Sequence, residues 1–263
     1  MTAYLEAVGL VAPGLPAWEE ARTIMAMQHP PAPQSPGCTP PQPQLLPANE
    51  RRRAPLSVLM ALQAAEDAMR RTSIAVADTP AVFASSDAEM AIIHRISSAL
   101  AEPARIVSPT DFHNSVHNAA AGYWGIAARA TQSATTLSAF DGTLAAGLRE
   151  TFALLADGAP AVLLVLYDVP PPVPLYEKRP IETACGVALM LTGERVPGSV
   201  ARLTLEEARA ESTLTEPWLE TLRRGNPAAR ALPLLSALAR RSDQLIGLRA
   251  ENGALLGIRI QCL

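Results

Sequence analysis

The chain has 263 residues, of which 49% are hydrophobic and 4% aromatic, and its formal net charge is −3. This length accommodates one large domain or two small ones, with a core built mainly from alanine and leucine. The charge argues against electrostatic capture of nucleic acid, and the short basic run ERRR at residues 50–53 indicates a solvated approach to a helix.

Membrane, secretion and metal signals are weak. No apolar run is long enough to span a membrane, and the first residues, MTAYLEAVGLVAPG, lack the basic and apolar regions of a signal peptide. We therefore expect a cytoplasmic protein. Cys38, Cys185 and Cys262 are odd in number and form no CxxC pair, so the sequence predicts neither a disulfide framework nor a zinc site.

The first third of the chain predicts a strand, a helix, a loop and a second helix. AYLEAVGLVAPG favours a strand that ends at a Pro-Gly turn, and LPAWEEARTIMAMQ favours a short helix. Residues 29–47 are rich in proline, which excludes regular structure, so they are predicted to form a surface loop; a polyproline ligand for another domain is the alternative. APLSVLMALQAAEDAMRRT then has helical periodicity.

Strands and helices alternate through the middle of the chain. TPAVFASS, SATTLSA and AVLLVLYDV are predicted strands, the last apolar enough for a sheet covered on both faces. DAEMAIIHRISSALAE is a predicted helix with Asp87 as its cap, HNSVHNAAAGYWGIAARA is predicted as one close-packed helix, and DGTLAAGLRETFALLADG as a buried helix. This order favours the α/β class, with a mixed sheet covered by helices.

The C-terminal part continues the pattern. ACGVALMLTGE and SVARLTLEEARAES are predicted strands. Residues 226–263 are predicted to form a helix, opened by Asn226 as cap and Pro227 at the first position, and a β-hairpin around Asn252 and Gly253.

The run TLSAFDGTLAAG reads as a strand, a sharp turn and the start of a helix. Such a turn often presents a nucleophile, yet Ala139 and Phe140 stand where a cysteine or serine is expected. Asp141 is predicted to cap the buried helix, and Gly142 to allow a close backbone approach.

The segment SPTDFHNSVHNAAAGYWGIAARATQSATTLSAFDGTLAAGLRETFALLADGAPAVLLVLYD resembles the N-terminal half of a β-ketoacyl-ACP synthase. Aligned without gaps, Arg129 falls on the arginine of that pattern and Gly142 on its turn glycine. Ser138 falls on the alanine before the nucleophile, and Ala139 falls on the nucleophilic cysteine itself. The Gly-Pro that follows the arginine in synthases is replaced here by Thr-Gln. Weaker similarities, AVGLVAPGLPAW and ACGVALMLTG, extend the resemblance over most of residues 1–195.

The resemblance implies a thiolase-like fold without synthase chemistry. Synthases use a cysteine thiolate, two histidines and a lysine, whereas this chain has alanine at position 139 and no histidine after His117. The last ~70 residues are too few for a complete second thiolase half. We therefore expect residues 1–263 to form a single truncated thiolase-like domain that needs no cofactor and is not an enzyme by itself.

The run FHNSVHNAAAGYW is similar in particular to chain-length-factor-like proteins of aryl polyene and xanthomonadin-type biosynthesis. That similarity implies a heterodimer with an active β-ketoacyl synthase, and indirect work with an acyl carrier protein. The pairing strand would be residues 133–138, which contain Thr135 and Thr136. The side chains that would shape the acyl tunnel or interface are Phe112, His113, His117, Tyr123, Trp124, Ser138 and Phe140. Core packing remains the alternative for Tyr123 and Trp124.

Three other interpretations stay open. His113 and His117 are spaced as on one helical face, but no third ligand is evident, so helix capping or interface hydrogen bonding is favoured over a metal site. Ser138 or Ser115 with His117 and Asp141 could form a stand-alone acyl hydrolase or acyltransferase. A homodimer that binds an acyl chain without chemistry is the third interpretation.

Overall fold

A computed structural model of the chain describes residues 1–33 and 40–263. Within these residues, eight strands form one mixed sheet in the order β3-β2-β4-β5-β1-β6-β8-β7. The strands are β1 (Thr2–Val11), β2 (Ala81–Ala84), β3 (Ala134–Leu137), β4 (Ala161–Asp168), β5 (Cys185–Thr192), β6 (Ala201–Glu206), β7 (Gln244–Arg249) and β8 (Leu255–Cys262). The pairs β2–β3 and β2–β4 are parallel and the other pairs are antiparallel. The predicted mixed sheet is thus confirmed.

The described helices cover both faces of this sheet. They are α1 (Trp18–Ala26), α2 (Ala48–Arg53), α3 (Leu56–Met69), α4 (Met90–Ala101), α5 (Pro109–Asn114), α6 (Ala119–Ala127), α7 (Thr143–Ala156), α8 (Pro217–Gly225) and α9 (Leu232–Ala239). Alternate residues of β4 enter two separate apolar clusters, one with α1, α7 and α9 and the other with α3 and α6. A strand that is buried on both sides explains the near-continuous apolar run of β4. None of the described helices is long and apolar enough to cross a membrane.

The predicted C-terminal cap and hairpin are present, although the helix that was predicted to begin at Pro227 is a 3-10 turn over Ala228–Ala231 followed by α9. The Asn226 Oδ1 accepts hydrogen bonds from the backbone nitrogens of Ala228, at 2.8 Å, and Ala229, at 3.3 Å, so Asn226 caps the turn that leads into α9. Strands β7 and β8 form the predicted hairpin, with Asn252 and Gly253 at φ of 55° and 76°. Helix α8 was not predicted from the sequence, although proline stands at its start and Leu219 and Leu222 bury one side of it.

The Pro-rich segment follows the prediction where it is described. Residues 29–33 and 40–47 contain neither helix nor strand, and residues 34–39, which include Cys38, lie outside the described residues. Backbone groups of the segment bond to the body of the protein. The Trp218 Nε1 donates to the Pro30 carbonyl oxygen at 3.0 Å, and the Leu45 nitrogen donates to the Glu66 Oε2 at 3.1 Å.

Two local predictions are wrong. Asp87 does not cap α4: Ala88 has a φ of 56°, which turns the chain before the helix, and Asp87 therefore lies outside the first turn. The segment predicted as one helix is two helices, because α5 ends at Asn114 and α6 begins at Ala119. His113 lies in α5 and His117 in the turn between them, so they do not share a helical face.

Candidate functional site

The turn after β3 has the strand–turn–helix form that the sequence predicts. Ala139 adopts φ −145° and ψ 39°, Phe140 adopts a φ of 51°, and α7 begins at Thr143. The Thr143 Oγ1 accepts a hydrogen bond from the Ala139 nitrogen at 3.1 Å and donates to the Phe140 carbonyl oxygen at 2.7 Å. The turn therefore presents a methyl group and an aromatic ring at the start of a buried helix.

Gly142 occupies a position that tolerates no side chain. A Cβ there would lie 2.9 Å from the Ala250 carbonyl carbon and 3.1 Å from the Glu251 nitrogen, both backbone atoms of the segment between β7 and β8. The predicted close backbone approach is confirmed, and it fastens the turn to the C-terminal hairpin.

Asp141 does not cap α7, contrary to the prediction. Its carboxylate instead forms ion pairs with three arginines: Arg179 at 2.8 Å, Arg230 at 3.1 Å and Arg249 at 3.4 Å. Burial raises the pKa of the Asp141 carboxyl, but the Arg179 hydrogen bond and the three positive charges outweigh burial, so this pKa lies below its usual value.

Phe140 and Arg179 are stacked. The guanidinium carbon of Arg179 lies 3.7 Å from the centre of the Phe140 ring, while Phe140 as a whole is 61% exposed. Sequence reasoning missed Arg179, because it lies in the loop after β4, distant in sequence from the turn it contacts.

Ser138 and His117 are brought together, as the hydrolase interpretation requires. The Ser138 Oγ lies 2.6 Å from the His117 Nε2 and 2.5 Å from the Ser85 carbonyl oxygen. A carbonyl oxygen only accepts, so the single hydroxyl hydrogen of Ser138 is donated to Ser85 and His117 must be the donor to Ser138. A general base has to accept that hydrogen, so this arrangement is the reverse of an activated nucleophile.

The other members of the hydrolase interpretation are not in place. Asp141 is bound by arginines, and in the described part of the chain no carboxylate lies within hydrogen-bonding distance of His117. The Ser115 Oγ donates to the Phe112 carbonyl oxygen at 2.8 Å, which is a bond within its own helical turn.

A buried carboxyl supports the turn from behind. The Asp168 Oδ1 accepts from the Ser85 Oγ at 3.0 Å and from the Ser86 nitrogen and Oγ, both at 2.8 Å. Burial raises the pKa of Asp168 to about 7 despite these bonds. Its Oδ2 is buried with no hydrogen-bond partner among the described residues. The sequence signal for this group was a single acidic residue at the end of an apolar strand.

Strand β3 lies at an open edge of the sheet. Its inner neighbour is β2, and no described strand pairs with its other side. At the opposite edge, β7 is covered: the Ser212 nitrogen donates to the Gly247 carbonyl oxygen at 2.8 Å, and the Gly247 nitrogen donates to the Ser212 Oγ at 3.0 Å. The chain therefore protects one edge and leaves the other available for pairing.

Exposed apolar side chains lie in the elements next to this edge. Phe112 and Val116 belong to α5 and the following turn, Ile126 to α6, and Phe140 to the turn after β3; their exposed fractions are 72%, 52%, 85% and 61%. Side chains of this kind are normally buried. We call β3 together with these four residues the open-edge face.

The remaining predicted site residues lie near this face or beneath it. Tyr123 is half-buried and packs edge-on against the His113 ring, with 6.5 Å between the ring centres. Trp124 is 1% exposed and packs against Phe83, with 6.2 Å between the ring centres. Trp124 is therefore a core residue, which was the alternative to a tunnel role. Arg129 is exposed just after α6.

The two threonines of β3 are half-buried, and the Thr136 hydroxyl has no hydrogen-bond partner among the described residues. A groove of about 690 Å³ adjoins the open-edge face. Its lining comes from the end of the Pro-rich segment, α2, α5, the turn between α5 and α6, α6 itself and Arg129. Among the described residues, no cluster of three or more His, Cys, Asp or Glu side chains could hold a metal ion.

A sheet covered on both faces, with a strand–turn–helix at its edge, is the arrangement that the resemblance to ketoacyl synthases implies. The sequence profile of the β-ketoacyl synthase N-terminal domain matches residues 18–250. The chain therefore belongs to the β-ketoacyl synthase N-terminal domain family. No curated protein sequence gave a significant match.

Solved structures share the fold at low sequence identity. A chain in the complex of the ketosynthase ApeO with its chain length factor ApeC, from Xenorhabdus doucetiae, matches with a TM-score of 0.75 and 21% identity, over 98% of this chain and 99% of that chain. A chain in the ishigamide ketosynthase/chain length factor matches with a TM-score of 0.73 and 13% identity, over 100% of both chains.

A third match has a TM-score of 0.76 and 10% identity, over 100% of this chain and 99% of the other. It is a chain in AntDE:AntF, in which a type II polyketide synthase acyl carrier protein is in complex with its ketosynthase bound to the hexaketide. These likenesses confirm the thiolase-like ketosynthase fold that the sequence resemblance implied.

Proposed function

We propose that this chain is the non-catalytic, chain-length-factor-like subunit of a heterodimer with an active β-ketoacyl synthase. The observation that carries the proposal is the open edge of β3 beside exposed Phe112, Val116, Ile126 and Phe140. An unprotected edge strand next to apolar surface is a template for pairing with another chain. Two of the structures that share the fold are of a ketosynthase with its chain length factor, which supports this choice of partner.

The turn supports a role without chemistry of its own. If Ala139 stands at the nucleophile position, the chain has no atom there that could form a thioester. Of the two histidines in the α5–α6 region, His117 is hydrogen-bonded to Ser138 and His113 packs against the Tyr123 ring. The acyl chemistry would then belong to the partner, with the acyl carrier protein acting through it.

In this proposal the subunit shapes the partner's acyl tunnel in polyene or polyketide elongation. Phe112, Phe140 and Tyr123 would supply walls near the shared interface, and His113 and His117 would hold the α5–α6 turn in place. Trp124 is left out of this set, because its side chain is enclosed in the core. We further propose that residues 1–263 act as one truncated thiolase-like domain in the cytoplasm.

Backbone direction along β3 gives a sharp test of strand pairing. The carbonyl oxygens of Ser133 and Leu137 accept hydrogen bonds from the Ala81 and Ser85 nitrogens, at 3.0 and 3.2 Å. Backbone groups alternate along a strand, so the groups of Thr136 point away from β2. Thr136→Pro removes one outward N–H and places a ring at the edge, whereas Thr135→Pro removes an N–H directed at β2.

The experiment is co-expression of the chain with an active β-ketoacyl synthase from the same organism, followed by sizing and elongation assays. We expect a one-to-one complex whose products are longer or more defined than those of the synthase alone. Thr136→Pro should keep the thermal melt of the isolated chain and abolish the complex, and Thr135→Pro should lower the melt. A complex that survives Thr136→Pro contradicts strand pairing.

The two other interpretations predict different results in the same assays. A self-associating chain that co-purifies with lipid and ignores the synthase would identify the acyl-binding homodimer. Turnover of acyl thioesters by the isolated chain would identify the Ser138 or Ser115 hydrolase with His117. The Ser138–His117 hydrogen bond has the wrong direction for the hydrolase. The choice of a synthase over a second copy of this chain is supported by the ketosynthase/chain length factor complexes that share the fold.

A further inference from the structure

Phe140 is held in a backbone conformation that an aromatic residue rarely adopts. Its φ is 51°, in the left-handed region that favours glycine, and its ring is largely exposed, so burial of the ring does not explain the conformation. Contacts around the turn hold it: Thr143 accepts from and donates to the turn backbone, and Arg179 stacks on the ring. Backbone strain that neighbouring groups maintain is a feature of functional sites.

Arg179 is placed by the ring and by one carboxylate. Its side chain is 15% exposed and its Nη1 donates to the Asp141 Oδ1 at 2.8 Å. Its Nε and Nη2 are buried with no hydrogen-bond partner among the described residues. Because these donors have no such partner, we attribute the position of the Arg179 guanidinium to the stacking contact and the Asp141 ion pair together.

The stacked pair adjoins the proposed interface. Phe140 follows Ser138 by two residues, and Ser138 is hydrogen-bonded to His117 in the turn that carries Val116. Arg179 covers one side of the ring at 3.7 Å, and 61% of the residue remains exposed. The aromatic surface that faces outward is therefore fixed before any partner arrives.

We propose that Arg179 is a positioning residue that presets Phe140 as an aromatic anchor for the partner subunit. This inference rests on the proposed function. Aromatic side chains in an interface centre contribute much of the binding energy, and an anchor that is already ordered loses less entropy on binding. The chemistry of the pair predicts an apolar socket on the partner without a cation of its own, because Arg179 already occupies the ring.

The test is a double-mutant cycle on the affinity for the co-expressed synthase, measured by calorimetry or biolayer interferometry. We expect Phe140→Ala to raise Kd by about tenfold or more and Arg179→Gln to raise it about threefold to tenfold. In the Phe140→Ala background, Arg179→Gln should have no further effect. Arg179→Lys, which keeps the charge and loses the flat stacking surface, should restore only part of the affinity.

Arg249→Gln is the matched control. Arg249 also pairs with Asp141, at 3.4 Å, but it is not the arginine that stacks on Phe140, so Kd should not change. If Arg179→Gln weakens binding equally in both backgrounds, or if Arg249→Gln has the same effect, Arg179 acts through general stability and the inference is wrong. If the wild-type chain binds the synthase and the Phe140 variants bind with the same Kd, only this inference is refuted. If the wild-type chain does not bind the synthase, the proposed function itself is refuted.

Discussion

His117 donates the hydrogen of its Nε2 to the Oγ of Ser138, across 2.6 Å, because the hydroxyl hydrogen of Ser138 is committed to the Ser85 carbonyl oxygen. This hydrogen bond connects the turn between α5 and α6 to the end of β3. The same two residues would have to bond in the opposite direction to activate a serine. The pair therefore has a structural consequence for the open-edge face rather than a catalytic one.

The first prediction concerns reactivity. The isolated wild-type chain should not hydrolyse acyl thioesters above the rate of a Ser138→Ala variant, and a fluorophosphonate probe should not label Ser138. Intact-mass spectrometry after probe treatment is the measurement, with a known serine hydrolase as positive control. Labelling that disappears in Ser138→Ala and persists in Ser115→Ala would show that the hydroxyl is activated after all.

The second prediction concerns the contact between the turn and the hairpin. Gly142→Ala should lower the free energy of unfolding by roughly 1–3 kcal/mol, because its Cβ meets the backbone of Ala250 and Glu251 and must push the hairpin away. Urea denaturation measures the change. Gly122→Ala is the control: no heavy atom beyond the chain neighbours and the local helix backbone lies within 4 Å of an added Cβ, and alanine in a helix should raise stability by about 0.5–1 kcal/mol. Equal effects of the two changes would contradict the close approach.

How much the sequence could predict depends on the range of the interactions. The apolar run of β4 predicts a strand that is covered on both faces, and Asn226 predicts the cap of the turn that leads into α9. Both predictions are correct because both signals are local. The prediction that Asp141 caps α7 is wrong, because the three arginines that pair with its carboxylate come from distant segments of the chain. Local patterns also cannot separate one helix from two, so His113 and His117 were placed together on one face.

The third prediction concerns pH. The Asp168 carboxyl titrates near 3.9 in an unfolded chain and at about 7 in the fold, so the folded state binds more protons between these pH values. The free energy of unfolding should therefore fall as pH rises from about 4 to 7 and level off above 7. The contribution of this group amounts to roughly 4 kcal/mol. Asp168→Asn, which resembles the protonated carboxyl, should remove it and be the more stable protein at pH 8.

Denaturation of both proteins at a series of pH values checks this, and the difference between them is the quantity to follow. Asp141→Asn provides a contrast of opposite sign. Its pKa is lowered by arginines, so its stabilisation is present above the unfolded pKa and is lost as pH falls through the folded pKa. Asp141→Asn should thus be less stable than wild type at pH 7 and approach it in acid. A constant difference between wild type and Asp168→Asn would show that Asp168 does not titrate as argued.

The fourth prediction separates the core from the tunnel. Trp124→Ala should lower the free energy of unfolding by about 3–5 kcal/mol, since the side chain is buried against Phe83. Phe112→Ala, at an exposed side chain, should change stability by less than about 0.5 kcal/mol. Thermal melts of the two isolated variants check both predicted changes in stability. If Phe112 belongs to the tunnel, the Phe112→Ala complex should release longer products, which mass spectrometry of the acyl chains would detect.

The last prediction concerns Phe140, where the usual preference of the backbone for alanine over glycine should be inverted. At a φ of 51°, a residue with a Cβ is strained by roughly 1–2 kcal/mol relative to glycine. Both Phe140→Gly and Phe140→Ala lose the stacking on Arg179, so their comparison isolates the backbone term. Phe140→Gly should therefore unfold at a higher urea concentration than Phe140→Ala, while both bind the synthase more weakly than wild type. A glycine variant less stable than the alanine variant would mean that the turn relaxes out of the left-handed region once the ring is gone, and that the Phe140–Arg179 pair itself imposes the conformation.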